Sequence, residues 1–245
     1  MNNYKNFSKY YDMAMGDRTA EGIFIKKLIK QYNSKAKTVL ELGCGTGAFL
    51  KYLSNHGYKM AGIDLSQEML EIARQKVPNA NLLCQNMAIF SLQLKFDVVL
   101  CLFDSINHLI DYNDWEKVFL QTYLHLNDSG LFIFDINTKS KLDILAGSDP
   151  IVNEVDNKII SMKVILKNNI YNWNIKIVEK QPNDSEMIYL ENIQEQSFPI
   201  SMIEKSLKKN FEKVIKISQS GMQATENSRR VYFICLKNLE NKLKR

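Results

Sequence analysis

The segment Val39–Gly47 constrains the fold of this chain more than any other part of its sequence. An apolar run, Val39–Leu42, leads into glycines at positions 43, 45 and 47 and then into a helical pattern. Glycine at the end of a strand permits a sharp turn and lets a ligand approach the backbone closely. About 20 positions further on, a second apolar run ends on Asp64, where nucleotide-binding α/β units hold ribose hydroxyls. Together the two features predict a nucleoside site.

The spacing of the glycines narrows the kind of nucleoside. Dinucleotide sites carry Gly-x-Gly-x-x-Gly, whereas this chain has Gly-x-Gly-x-Gly with Glu41 just before it. An acid at that place repels a pyrophosphate but suits a ligand that carries an ammonium group. The Lys-Ser/Thr pair that a P-loop requires does not follow. The pattern therefore disfavours a nicotinamide-dependent dehydrogenase and favours a nucleoside without phosphate.

These residues resemble the first two motifs of the class I methyltransferases that use S-adenosylmethionine (SAM). The first motif of that family is an acid before a Gly-x-Gly-x-Gly turn, and the second is the ribose acid at the end of strand 2. The resemblance implies a SAM-dependent methyltransferase with SAM as its cofactor. It implies the following cofactor-binding candidates: Tyr11, Arg18, Glu41, Gly43, Cys44, Gly45, Asp64, Leu65, Asn86, Met87 and Leu102.

Apolar runs and helical patterns alternate through the first 134 residues. This alternation predicts an α/β fold with a doubly wound, mostly parallel sheet. Ser66 is predicted to begin one helix as its N-cap, and Asn113 with Glu116 is predicted to begin another through a capping box.

The pattern changes after residue 147, where apolar and polar residues alternate one by one. Asn168-Asn169 separates two such runs, which predicts an antiparallel meander with tight turns. The resemblance implies a single domain, 1–245, with a Rossmann-like sheet of seven strands. It also implies that an antiparallel insertion, 147–199, forms part of the acceptor pocket, as in the subset that methylates small molecules.

Residues at strand ends are the candidates for the chemistry, because ligands bind outside the carboxyl ends of the strands in such sheets. The resemblance implies that Asn86 accepts a hydrogen bond from the adenine amino group and that Met87 packs on the ring. His108 is the catalytic candidate, as a base or as a group that orients the acceptor. Transfer by alignment alone is the alternative, because a sulfonium is already a good leaving group. Asp135 and Asn137 are predicted to face the same crevice.

Four further residues have two interpretations each. Tyr11 is predicted to lie over the SAM carboxylate and Arg18 to pair with it, against simple packing of the tyrosine. Trp173 and Tyr189 either line the acceptor pocket or belong to the core of the sheet, and their alternating pattern favours the core.

Composition limits the remaining classes of function. The 245 residues carry a formal net charge of +5, and their Lys and Arg are spread out apart from a Lys-rich end, 237–245, which is expected to be a solvated tail. The four cysteines lack the spacing of a metal site, which favours reduced thiols and no metal. The first residues lack the apolar core of a signal peptide, so a cytoplasmic protein without a membrane partner is expected.

We therefore predict a SAM-dependent methyltransferase that acts on an N or O atom of a small molecule. One alternative is an RNA or tRNA methyltransferase, which the basic charge allows. The Asn/Asp-Pro-Pro-aromatic motif of many base N-methyltransferases is absent after strand 4, which disfavours nucleic acid. The other alternative is a SAM-binding module without catalytic activity.

Overall fold

The computed structural model describes residues 4–237. The predicted Lys-rich tail beyond Lys237 lies outside them, as do residues 1–3. The strands are β1 (Thr38–Leu42), β2 (Lys59–Asp64), β3 (Asn81–Cys84), β4 (Phe96–Cys101), β5 (Leu126–Asn137), β6 (Ile151–Val155), β7 (Lys158–Lys167), β8 (Ile170–Lys180), β9 (Glu186–Glu195), β10 (Lys213–Ser218) and β11 (Arg230–Leu236). The α-helices are α1 (Tyr11–Met15), α2 (Thr19–Tyr32), α3 (Ala48–Ser54), α4 (Gln67–Lys76), α5 (Tyr112–His125), α6 (Lys139–Gly147) and α7 (Ile200–Leu207). Short 3-10 turns cover Phe7–Tyr10 and Ser105–His108.

Seven strands form the main sheet, in the order β10-β11-β5-β4-β1-β2-β3. The strands from β3 to β5 run parallel, whereas β11 is antiparallel to both β5 and β10. The order of the strands reverses between β1 and β4, and a crevice opens outside the carboxyl ends at such a point. The predicted doubly wound, mostly parallel sheet of seven strands is confirmed.

Both faces of the main sheet are buried, which explains the almost unbroken apolar runs of its strands. Successive residues of a strand point to opposite faces. Val39 accordingly belongs to one buried cluster, and Leu40 and Leu42 belong to the other. Each buried side chain of this kind stabilises the fold by about 1.5–3 kcal/mol.

The starts of two helices test the capping predictions. The Ser66 hydroxyl accepts a hydrogen bond from the Met69 backbone N–H, so the predicted N-cap is confirmed. The capping box at Asn113 is wrong, because α5 begins earlier and Asp111 is its N-cap. Helices α2 and α5 have 14 residues each. None of the helices within residues 4–237 is long and apolar enough to cross a membrane.

A second sheet of four antiparallel strands, β6-β7-β8-β9, follows α6. Its hairpin between β7 and β8 turns on Asn168 and Asn169, whose φ angles of 52° and 60° are tolerated by asparagine. The sequence predicts these strands from their alternation, but it does not predict α6, which joins the two sheets.

The second sheet packs on the amino-terminal segment. Phe7 and Tyr10 are buried against apolar residues of β7, β8 and β9, among them Ile160 and Ile177. The Glu191 carboxylate on β9 accepts hydrogen bonds from the backbone N–H groups of residues 6 and 7. The first turns of the chain are therefore held between the second sheet and the ends of the main-sheet strands.

Candidate active site

The glycine turn after β1 opens one wall of the crevice. Gly43 and Gly45 have φ angles of 66° and 51°, in the left-handed region that favours glycine. A Cβ built on Gly43 would lie 2.9 Å from the Ser105 Cβ and 3.2 Å from the Met87 Cε, so no other residue fits there without displacement. A Cβ on Gly45 would meet no heavy atom within 4 Å, which leaves open space beside that backbone.

Asp64 ties this turn to the end of β2. Its Oδ2 accepts a hydrogen bond of 2.8 Å from the Gly45 N–H, and its Oδ1 accepts one of 2.8 Å from the Ser66 N–H. Burial raises the pKa of the carboxyl, while these backbone donors oppose the shift. Each carboxylate oxygen can accept more than one hydrogen bond, so Asp64 keeps capacity for hydroxyl donors.

Asn86 follows β3 and closes its own turn. Its Oδ1 accepts a hydrogen bond of 2.8 Å from the Ala88 N–H, although the oxygen is expected from the sequence to accept from adenine. The oxygen has a second lone pair and the amide group has two donors, so both edges of a base can be met here.

Eight of the candidate residues line one cavity of about 190 Å³, which we call the first cavity. They are Tyr11, Gly43, Gly45, Asp64, Leu65, Asn86, Met87 and His108. The sequence did not single out other parts of its wall, such as Tyr4, Phe103, Ser105 and Ile193. No local pattern marks these residues, because they come from the amino-terminal segment, the loop after β4 and the second sheet.

Four candidates lie outside the lining of the first cavity. Glu41 is buried behind the glycine turn, and its Oε2 has no hydrogen-bond partner among residues 4–237. Burial and the nearby charge of Asp64 raise the pKa of Glu41. Cys44 packs inward, where its Sγ would lie 2.8 Å from a Cβ on Gly62. Arg18 lies over the Phe103 ring at 3.6 Å and, like Leu102, lines a neighbouring pocket.

A second cavity of about 310 Å³ lies between the ends of the main-sheet strands and the second sheet. It shares the side chains of Tyr4, Tyr11, Phe103, His108 and Ile193 with the first cavity, so the two spaces meet at these residues.

Charged side chains and an indole line the second cavity. Arg18, Asp104, Lys141, Glu195 and Arg230 are the charged residues of its wall. Trp173 also lines it, and its indole N–H is buried without a partner among the described residues. The sequence pattern favours the core for Trp173, whereas the structure gives it a place in this wall.

His108 stands between the two cavities with both ring nitrogens engaged. Its Nδ1 lies 3.2 Å from the Gln194 carbonyl oxygen, which can only accept, so Nδ1 carries the hydrogen. Its Nε2 lies 3.2 Å from the Tyr4 hydroxyl. Burial raises the pKa of Tyr4, so this hydroxyl keeps its proton and can donate it to Nε2.

Arg230 organises the buried end of the second cavity. Its guanidinium donates to the carboxylates of Asp104 and Asp135 and, at 3.1 Å, to the Asn137 side-chain oxygen. Asp135 also accepts from the Phe103 and Asp104 N–H groups, at 2.6 and 3.1 Å. Phe103 and Asp104 have φ angles of 60° and 54°, and Asp135 holds this strained backbone in place. Burial raises the pKa of Asp135, and Arg230 opposes that shift.

Asn107 joins the second sheet to the end of β5. It is fully buried, and its side-chain NH₂ donates to the Asn137 and Gln196 carbonyls at 2.9 and 2.8 Å. Its oxygen accepts from the Asn137 N–H at 3.1 Å. The end of β9 is therefore fixed on the loop that follows β4.

Residues 39–130 match the model of a family described as a methyltransferase domain. A protein of Geobacillus sp. (strain WCH70) that is named as a methyltransferase is 33% identical over 57% of this chain and 60% of its own length. The dTDP-3-amino-3,6-dideoxy-alpha-D-glucopyranose N,N-dimethyltransferase of Streptomyces fradiae is 31% identical over 49% of this chain and 47% of its own length. The chain thus spans about half to three-fifths of the curated relatives that it matches.

A solved structure resembles almost the whole chain. It is a SAM-dependent methyltransferase from Clostridium acetobutylicum, with a TM-score of 0.83, 26% identity, and coverage of 96% of this chain and 99% of that one. The likeness includes the second sheet and the last hairpin as well as the matched domain. Residues 39–130 therefore match a methyltransferase domain, and almost the whole chain has the fold of a solved SAM-dependent methyltransferase.

Proposed function

We propose that this protein transfers a methyl group from SAM to an N or O atom of a small molecule bound in the second cavity. The observation that carries the proposal is the shared wall, because His108 and four other residues line both cavities. A methyl donor on one side and an acceptor on the other meet at that wall. The acceptor class in view is an amine such as an amino sugar, because the Streptomyces fradiae relative is named for such a substrate.

The residues of the first cavity fit SAM. Gly45 leaves open space for a ligand against the backbone, and Asp64 has lone pairs for ribose hydroxyls. Glu41 lies behind the same turn, outside the lining of the cavity, and its Oε2 has no hydrogen-bond partner among the described residues. When it is bound, SAM supplies an electrophilic methyl group on a sulfonium.

The protein contributes the positions of the two reactants. Tyr11 and Phe103 line both cavities, and the Asp135 hydrogen bonds fix the Phe103 backbone. His108 orients the acceptor rather than acting as a strong base, since its ring is held between the Gln194 carbonyl and the Tyr4 hydroxyl. Alignment of two bound reactants contributes about 7–11 kcal/mol in well-oriented intramolecular reactions.

Calorimetry and a transfer assay test the proposal. SAM and S-adenosylhomocysteine are titrated into the protein, and radiolabelled methyl transfer is then followed with aminodeoxy sugar nucleotides as acceptors. We expect micromolar cofactor binding and transfer to the amine. Absence of cofactor binding would reject the function, and binding without transfer to a broad acceptor panel would favour a module without catalytic activity.

Preference for a small molecule over nucleic acid is part of the proposal. An RNA methyltransferase would bind tRNA with an affinity that falls steeply as salt rises. A gel-shift series between 50 and 200 mM salt measures this, and we expect only weak binding. A cytoplasmic location stays a prediction.

A further inference from the structure

Glu195 is a buried carboxyl group for which the proposed cofactor site has no use. It ends β9, is 3% exposed, and lines the second cavity. Its Oε2 accepts one hydrogen bond, of 3.2 Å, from the Asn137 side-chain NH₂. Among residues 4–237 no cationic nitrogen lies within the 4.0 Å of an ion pair from this carboxyl. A carboxyl buried with so little compensation is costly unless a ligand supplies the missing partner.

We propose that Glu195 is the catalytic residue that receives the acceptor's ammonium group and takes its proton before methyl transfer. The inference rests on the proposed function and adds a residue to it. In this step one N–H bond of the ammonium breaks and its electron pair stays on nitrogen. The proton forms an O–H bond with the Glu195 carboxylate, so the charged pair becomes a neutral amine and a neutral acid. The freed lone pair is what an electrophilic methyl group requires.

The groups around Glu195 suit this exchange. Asp104 faces it from the loop after β4, Lys141 from α6 and Arg230 from β11, with Asp135 behind Arg230. Arg18, His108, Tyr4 and Tyr11 line the same cavity. Burial first, and then the charge of Asp104, raise the pKa of Glu195 to about 8, while the Asn137 hydrogen bond, Lys141 and Arg230 oppose the shift. A base with a pKa near that of the working solution exchanges protons efficiently.

The other candidate base is less suited to this role. The Nδ1 of His108 donates to the Gln194 carbonyl, so only Nε2 could take a proton from the acceptor, and Nε2 already faces the Tyr4 hydroxyl at 3.2 Å. The hydrogen bond between His108 and the Gln194 carbonyl fixes the residue before Glu195. Asn107 fixes the residue after it, because its side-chain NH₂ donates to the Gln196 carbonyl and its backbone carbonyl accepts from the Gln196 N–H. The carboxyl is therefore fixed from both sides of the chain.

The first experiment measures preference for an amine and needs no turnover. With S-adenosylhomocysteine present, calorimetry compares dTDP-3-amino-3,6-dideoxy-α-D-glucose with dTDP-6-deoxy-α-D-glucose, which has a hydroxyl in place of the amine. We expect the wild type to prefer the amine at least tenfold and the Glu195→Gln variant to lose this preference. Glu186→Gln, at the exposed start of the same strand, is the matched control and should keep it.

The second experiment measures the rate of transfer to the amine between pH 6 and 10. Loss of the base should lower kcat by about 100-fold or more, leave the KM for SAM unchanged, and reduce the rise of rate with pH. A Glu195→Gln variant with the wild-type pH profile, or a wild type that binds both sugar nucleotides alike or neither, would overturn the inference. Loss of SAM binding in the wild type would instead reject the proposed function.

Discussion

The walls of the two cavities are assembled in different ways. The first cavity is built mainly by turns at the ends of neighbouring parallel strands, from Gly43 to Leu109 along the chain. The second cavity brings together Asp104, Lys141, Glu195 and Arg230, which belong to a loop, a helix and strands of two different sheets. The comparison teaches that short sequence motifs determine the wall of the first cavity, whereas the wall of the second cavity depends on packing between segments that are far apart in the sequence. Variants in the two walls should therefore fail in different ways.

The largest expected effect is on the affinity for SAM, which a variant in the wall of the first cavity should lower. Asp64→Ala removes a half-buried carboxylate acceptor, and hydrogen bonds to charged groups contribute about 1.5–3 kcal/mol each. We expect the Kd for SAM, measured by calorimetry, to rise at least about 100-fold. Asp114→Ala, an exposed residue of α5, is the control and should bind SAM normally. Unchanged affinity in a folded Asp64→Ala protein would remove Asp64 from the proposed site.

The next variant weakens the junction between the two walls. Asn107→Ala leaves the Asn137 N–H and two buried carbonyl groups without partners. Each such group costs about 1–3 kcal/mol, so we expect the free energy of unfolding in urea to fall by about 3 kcal/mol. Asn192→Ala removes an exposed hydrogen bond within the second sheet and should cost less than about 0.5 kcal/mol. Equal losses of unfolding free energy in the two variants would show that the Asn107 hydrogen bonds stabilise the protein no more than an exposed one does.

Two glycines sharpen the comparison within the first wall. Gly43→Ala adds a methyl group against Ser105 at a positive φ, so we expect a loss of about 2 kcal/mol in stability. Gly45→Ala meets open space, and its backbone strain alone should cost about 1 kcal/mol. Its methyl group would stand where a ligand approaches, so its SAM affinity should fall more than its stability. Thermal unfolding and calorimetry on both variants give the two quantities, and the reverse ranking would contradict this geometry.

The smallest expected effect concerns the second wall and depends on pH. The folded-state pKa of Glu195 lies above its ordinary value of 4.5, so the unfolded chain loses this proton first as pH rises. The wild type should therefore lose stability between about pH 4.5 and pH 8 through this group. Glu195→Gln removes that loss, so we expect its stability relative to the wild type to be higher at pH 8.5 than at pH 4.5. Urea unfolding at the two pH values would contradict the assignment if the difference did not change.

Much of the fold follows from local sequence. The alternation of apolar runs and helical patterns predicts the parallel sheet, and Asn168-Asn169 marks a hairpin because asparagine tolerates positive φ. The start of α5 is missed because Asp111 and Asn113 are both good caps, and only the geometry decides between them.

The candidate site is predicted in part, for the same reason. Its strand-end residues were found because their roles depend on a short motif. Tyr4 and Glu195 carry no such signal, since their positions depend on packing between the amino-terminal segment and β9. Trp173 is assigned to the core because apolar and polar residues alternate along β8. Such alternation does not distinguish a side chain packed in the core from one that lines a cavity.

The antiparallel pairing of β11 with β5 has a consequence for how the protein is made. Arg230 pairs with Asn137 in that register and brings its guanidinium to Asp104. On the ribosome, the glycine turn and Asp64 emerge well over a hundred residues before Arg230 does. A nascent chain that already has its strand-end turns thus still leaves Asp104 and Asp135 without their counterion, and the wall of the second cavity is completed only after β11 has emerged.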